Sequence, residues 1–155
     1  MEFSKKYTPG QALQKLKQYC AYQERCHTEV LEKLRDYGVG HNDAGEIIAT
    51  LIEENYLNEE RFAKQYAGGK FRMKQWGRTK IIHQLKMKGI SQACIKAGLK
   101  EIEEDDYLST LNLLLEKKWA YLPGNNLRLK KKKCFDYLKL KGYETNLILE
   151  ALKEL

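Results

Sequence analysis

One short phrase occurs three times in this chain and leaves few architectures open: Leu34-Arg35-Asp36-Tyr37-Gly38-Val39, Leu85-Lys86-Met87-Lys88-Gly89-Ile90 and Leu138-Lys139-Leu140-Lys141-Gly142-Tyr143. Its glycines stand 51 and then 53 residues apart, and recurrence at a near-fixed period of this size marks stacked helical units. The apolar positions upstream match as well. Leu34, Leu31 and Val30 precede the first glycine by four, seven and eight residues; Leu85, Ile82 and Ile81 precede the second likewise, and Leu138, Phe135 and Cys134 the third. Offsets of three and four put such residues on one stripe of a helix. A glycine after the stripe suits the left-handed residue that closes a helix, because it has no Cβ to clash. Gly38, Gly89 and Gly142 are therefore expected as structural stops, with Phe62 and Leu85 structural in the middle unit.

The remaining helical segments arrange themselves around these three. Thr8-Pro9 opens the first, with Thr as N-cap and Pro in the first turn, and Ala12, Leu13, Leu16 and Tyr19 or Cys20 continue it. A second runs from His27 to Tyr37, and Ile47, Ile48, Leu51 and Ile52 form a third. Asn58 caps the fourth, where Glu59 and Glu60 suit the positive end of the helix dipole. Phe62, Ala63, Tyr66 and Met73 line it, and Trp76-Gly77 ends it. Ile81, Ile82 and Leu85 lead to Gly89, and Ser91 caps a helix carrying Cys94, Ile95, Leu99 and Ile102. The last triad covers Tyr107 to Tyr121, Leu127 to Lys141 and Glu144 to Leu155, with a turn at Pro123-Gly124-Asn125-Asn126. The pattern predicts an all-α fold of three tandem three-helix modules, over 1–56, 57–103 and 104–155, stacked into an elongated, curved arrangement.

Charge is distributed unevenly. The net value is +7, yet residues 61–100 hold eleven basic residues and no Asp or Glu. They are Arg61, Lys64, Lys70, Arg72, Lys74, Arg78, Lys80, Lys86, Lys88, Lys96 and Lys100. Acids crowd both flanks, from Asp43 to Glu60 before and from Glu101 to Asp106 after. A one-sign module between acidic belts focuses a positive potential and predicts a polyanionic partner. Solvated helix faces also carry lysine, but they normally interleave both signs. The run Lys130-Lys131-Lys132-Lys133 is less specific, since four consecutive helical residues sweep about 300°. Lys131 falls on the apolar stripe with Leu127, Cys134 and Leu138, which leaves Lys130, Lys132 and Lys133 as candidates for phosphate contact. Among the aromatics, Phe62, Tyr66, Trp119 and Phe135 sit at core spacing. Phe71 and Trp76, set among Lys70, Arg72, Lys74 and Arg78, are open to base stacking.

Several chemistries lack their residues. There is no phosphate-binding glycine loop with a lysine, no His-Glu-x-x-His and no nucleophile elbow, so an enzyme is not indicated and no cofactor is expected. The cysteines Cys20, Cys26, Cys94 and Cys134 include no Cys-x-x-Cys pair, and reduced structural thiols fit better than a metal site. A mean hydropathy of −0.65 and no apolar run near the 18 or so residues of a span predict no membrane insertion. Met1-Glu2-Phe3-Ser4-Lys5-Lys6 lacks the apolar core of a signal peptide, so a cytoplasmic location is expected.

The segment Leu57-Asn58-Glu59-Glu60-Arg61-Phe62-Ala63, then Tyr66, Gly77-Arg78 and Leu85-Lys86-Met87-Lys88-Gly89-Ile90, resembles the RecX regulatory proteins. These carry an acidic pair before Arg-Phe-Ala and a Leu-x-x-Lys-Gly-Ile closing a basic helix. Asn58 departs from the acid usual there. The resemblance implies an arc of three three-helix units and a non-enzymatic modulator of the RecA recombinase in recombination and DNA repair. It further implies binding in the groove of the RecA filament on single-stranded DNA, with effects on filament growth, ATP turnover and strand exchange. Two alternatives stand beside it. A helix, a glycine turn and another helix could bind duplex DNA in helix-turn-helix fashion, although no helix here gathers the Asn, Gln and Arg that base readout wants. A protein-only scaffold is the other.

Overall fold

A computed structural model describes residues 6–155; the signal-peptide reading of Met1 to Lys5 lies outside the described residues. Among them are nine helices and no strand: α1 (Pro9–Tyr22), α2 (His27–Asp36), α3 (His41–Glu53), α4 (Glu59–Lys74), α5 (Arg78–Met87), α6 (Gln92–Leu99), α7 (Glu104–Tyr121), α8 (Leu127–Lys141) and α9 (Thr145–Leu152). The helix pairs that pack extensively all lie within one triplet, α1–α3, α4–α6 or α7–α9. The described helices include none long and apolar enough to cross a membrane.

Polar residues start these helices as their chemistry requires. Thr8 Oγ1 accepts the Gln11 N–H at 3.2 Å while Gln11 Oε1 accepts the Thr8 N–H at 3.0 Å, a reciprocal cap that satisfies two otherwise unpaired donors. Asn58 Oδ1 accepts the Arg61 N–H at 2.9 Å, and Ser91 Oγ accepts that of Cys94 at 3.3 Å.

The repeated phrase is one helix-ending motif used three times. Val39, Ile90 and Tyr143 donate their N–H groups to the carbonyls of Leu34, Leu85 and Leu138 at 3.0, 3.1 and 3.1 Å. Gly38, Gly89 and Gly142 donate theirs to Arg35, Lys86 and Lys139, each at 3.0 Å. The glycines hold φ of 73°, 78° and 103°, left-handed values that cost a residue with a Cβ. The fixed positions are thus the leucine, the glycine and the apolar residue after it, which folds back toward the leucine.

Two cores result. Ala12, Leu16, Val30, Leu34, Ile47, Leu51 and Leu57 fill the first triplet. A second, continuous core runs through both later triplets, from Phe62, Ala67, Ile81 and Leu85 through Tyr107 and Leu111 to Leu138, Tyr143 and Ile148, and includes Cys26 from the first. The whole chain exposes 10173 Å², where a compact protein of 18.2 kDa exposes about 8100 Å². The excess is that of an elongated stack.

In several places the helical register differs from the expected one. On α4 the buried line is Phe62, Ala63, Ala67, Gly68 and Phe71, and Met73, two residues or about 200° beyond Phe71, is 86 % exposed. Phe71 is therefore core and Met73 surface. Leu31, Ile52 and Leu127, placed on apolar stripes by spacing, are exposed as well. Helix α4 ends at Lys74, before the expected Trp76-Gly77, and its C-cap Gln75 has a φ of 57°, left-handed without glycine. Helix α7 begins at Glu104 rather than Tyr107, which puts Glu104, Asp105 and Asp106 in its first turn, the electrostatically favoured place for acids.

Candidate nucleic-acid interface

The basic residues singled out by sequence divide according to what they touch. Arg61 and Arg78, expected to face a polyanion, are held by the protein's own groups. Arg61 Nε donates to Glu24 Oε2 at 2.5 Å, and its Nη atoms donate to Asn55 Oδ1 at 3.1 Å and the Asn55 carbonyl at 3.0 Å. This fastens α4 to the turn before α2. Lys64 pairs with Glu60 at 3.6 Å and Lys132 with Asp136 at 2.9 Å, both one helical turn apart; such exposed pairs are weak and readily exchanged.

Arg78 sits at the joint between the second and third triplets. Its guanidinium lies 3.8 Å from the Tyr107 ring centroid and bonds Glu104 and Glu144. Its backbone N–H donates to the Tyr107 hydroxyl at 2.9 Å, and that hydroxyl donates in turn to Glu144. Burial, reinforced by the bond to Glu144, holds the Tyr107 hydroxyl protonated far above the ordinary tyrosine range. Tyr143 donates to the Gln75 carbonyl at 2.9 Å. Beside this network the start of α5 abuts the end of α8: Gly77 and Thr79 donate N–H groups to the Lys141 and Gly142 carbonyls at 2.8 and 2.9 Å. The positive end of one helix meets the negative end of the other. A Cβ on Gly77 would collide with the Gly142 carbonyl, so contact this close needs glycine.

With Arg61 and Arg78 engaged internally, other basic side chains remain. Among the described residues none of Lys70, Arg72, Lys74, Lys80, Lys86, Lys88, Lys130 or Lys133 pairs with a carboxylate. Arg72 folds back over Gly68. Several of the lysines cover aromatic rings. Lys88 Nζ lies 5.7 Å from the Tyr66 centroid, Lys70 5.3 Å from Tyr66 and 5.1 Å from Trp76, and Lys80 4.6 Å from Trp76. Trp76 is half-buried and meets Tyr66 edge-on at 6.4 Å. Phe71, the other aromatic left open by sequence, is buried against Tyr107 at 5.8 Å.

The pattern continues into the third triplet. Lys141 and Lys118 lie 6.0 and 5.0 Å from the Tyr137 ring, Lys118 5.7 Å from Tyr121, and Lys130 4.4 Å from Trp119. Burial, aided by repulsion from neighbouring Lys80, lowers the affinity of Lys141 for its proton. The two halves of the face meet where Lys80 packs against Gly142. Sequence reasoning missed Lys118, Lys141, Tyr121 and Tyr137. A signal was present: Tyr66 and Lys70 on α4, and Tyr137 and Lys141 on α8, stand four residues apart, the spacing that brings an aromatic and a cation together on a helix.

The chain is similar to known proteins. Residues 58–99 match the family described as RecX, second three-helix domain. A Regulatory protein RecX of Bacillus cytotoxicus is 30 % identical over 137 residues, covering 88 % of this chain and 51 % of the relative. One of Bacillus mycoides is 28 % identical with the same coverage. The chain therefore spans about half the length of the curated relatives it matches. The crystal structure of RecX from Lactobacillus salivarius superposes with a TM-score of 0.86 at 24 % identity, covering 95 % of this chain and 96 % of that one. A second crystal structure, of a regulatory protein RecX, gives 0.85 at 19 %, covering 95 % and 73 %.

Proposed function

We propose that the chain, similar to the RecX regulatory proteins over 88 % of its length, regulates recombination and DNA repair without catalysing a reaction itself. It does so by binding the RecA filament on single-stranded DNA and changing the filament's assembly, ATP turnover and strand exchange. The observation that carries this reading is the face of α4 and α5 on which lysines have no carboxylate partners. Lysines that owe nothing to internal ion pairs can meet phosphates at little cost, and each contact releases condensed counterions. The elongated stack suits a long, repetitive partner better than a single small ligand. Lysine-rich faces position a protein on a phosphate backbone without reading bases, which favours this reading over sequence-specific duplex binding.

The test is RecA-driven ATP turnover on single-stranded DNA with increasing amounts of this chain. A concentration-dependent change is expected, and it should disappear when Lys70, Lys74, Lys80 and Lys88 are replaced by Glu. Turnover unaffected by the wild-type chain at saturation would refute the reading.

A further inference from the structure

The aromatic rings of the lysine face are arranged in a way that charge alone does not require. We propose that Tyr66, Trp76, Tyr137 and Trp119, with Lys70, Lys80, Lys141, Lys118 and Lys130, form one track across the second and third triplets that binds single-stranded DNA directly, by stacking bases on the rings. The proposal deepens the reading above and rests on it for the identity of the polyanion.

In the unbound chain each ring carries a lysine ammonium over it, 4.4 to 6.0 Å from the centroid. A nucleobase is the better lid. It offers a π-face of matching size, and stacking is available to every base, so it is tolerant of sequence. The displaced ammonium stays tethered beside the ring and moves to the phosphate of the same nucleotide. Each ring and its lysine thus make one nucleotide subsite. Duplex DNA cannot use such subsites, because its bases are already stacked and paired.

Two features give the track its continuity and its end. The joint sets the subsites in series: the Gly77–Lys141 backbone bond and the Lys141 Nζ bond to the Lys74 carbonyl, at 3.1 Å, bring Lys141 beside Lys80. The other end is limited by charge. A cleft of about 320 Å³ lined by Tyr66, Lys70 and Lys88 is lined by Glu24 and Glu29 as well; Arg61 pairs with Glu24, which leaves the Glu29 carboxylate to oppose a phosphate. The strand therefore runs from Tyr66 toward the third triplet and away from the first.

The only two tryptophans of the chain are Trp76 and Trp119, so intrinsic fluorescence reports on the track itself. The full chain is titrated with an oligothymidylate and, separately, with a blunt duplex of equal length. Quenching is expected with the single strand, at an affinity at least tenfold above the duplex. Trp76→Leu should weaken binding by about five- to a hundredfold. Lys118→Gln with Lys141→Gln keeps both reporters, and should lower the log–log salt slope by about 0.7 for each lysine removed. Lys6→Gln with Lys15→Gln, in the first triplet, should change neither. No quenching, equal affinity for duplex, or an unchanged salt slope in the Lys118 and Lys141 variant would overturn the track. The ATP-turnover assay separates the two proposals. A chain that alters RecA turnover but ignores the oligothymidylate defeats only the track; one that binds the oligothymidylate but leaves turnover unchanged defeats only the RecA reading.

Discussion

Where α5 meets α8, backbone touches backbone: glycine faces glycine, N–H groups at the start of one helix donate to carbonyls at the end of the other, and a single apolar core continues beneath. Where the first triplet meets the second, reach comes from side chains. Arg61 spans to Glu24 and Asn55, the Thr28 hydroxyl donates to the Lys88 carbonyl at 3.2 Å, and most of the first triplet's core is its own. Among the described buried residues of the first triplet only Cys26 crosses into the larger core. Three sequence-similar units are thus joined in two unlike ways. Repetition determines each unit, but the joints depend on residues outside the repeated phrase. The second and third triplets form one body that holds the lysine and aromatic face in register, and the first is an arm attached to it.

Substitutions at the two joints should differ accordingly. The largest effect is expected from Gly77→Ala, because the new Cβ meets backbone that cannot move without parting the joint. A loss of about 3 kcal/mol or more should be seen in thermal or urea unfolding. A loss no larger than that of an ordinary surface substitution would show that the joint is loose. Tyr107→Phe comes next. It leaves the Arg78 N–H and a Glu144 oxygen without their partner in a largely buried setting, at a cost of about 1–3 kcal/mol.

Alkaline pH tests the same joint without mutation. Burial raises the pKa of both Tyr107 and Tyr143 above the ordinary tyrosine value, so the folded chain keeps protons that the unfolded chain gives up. Their contribution is complete below about pH 10 and is lost as pH rises beyond it, by about 1.4 kcal/mol per pH unit for each tyrosine. Stability measured above pH 10 should fall less steeply in Tyr107→Phe than in the wild type, and parallel slopes would contradict the assignment. The smallest effect is expected at the other joint. Arg61→Met removes an ion pair whose side chains are 37 % and 22 % exposed together with two bonds to Asn55, and should cost about 1 kcal/mol.

How far the sequence could be read follows the range of the interactions. The caps at Thr8, Asn58 and Ser91 and the stops at Gly38, Gly89 and Gly142 are local, made within five residues, and the spacing of polar, apolar and glycine residues states them. Phe71 and Met73 were exchanged because both are apolar and only two residues apart, so helical phase decides between them and the partner helix decides the phase. Arg78 was invisible as a joint residue, since its partner Glu144 lies 66 positions away and nothing local distinguishes it from Lys74 or Lys80. The third-triplet half of the aromatic face is not legible locally, because Lys118 on α7 and Tyr137 on α8 meet only once the two helices pack.

Native-state hydrogen exchange, resolved by segment, tests the central contrast most directly. Two levels of protection are predicted: amides of α4 to α9 should share one opening free energy, and those of α1 to α3 should open at a lower one without exposing the rest. A single opening energy for all nine helices, or separate openings of α4–α6 and α7–α9, would contradict an arm hinged on a two-triplet body.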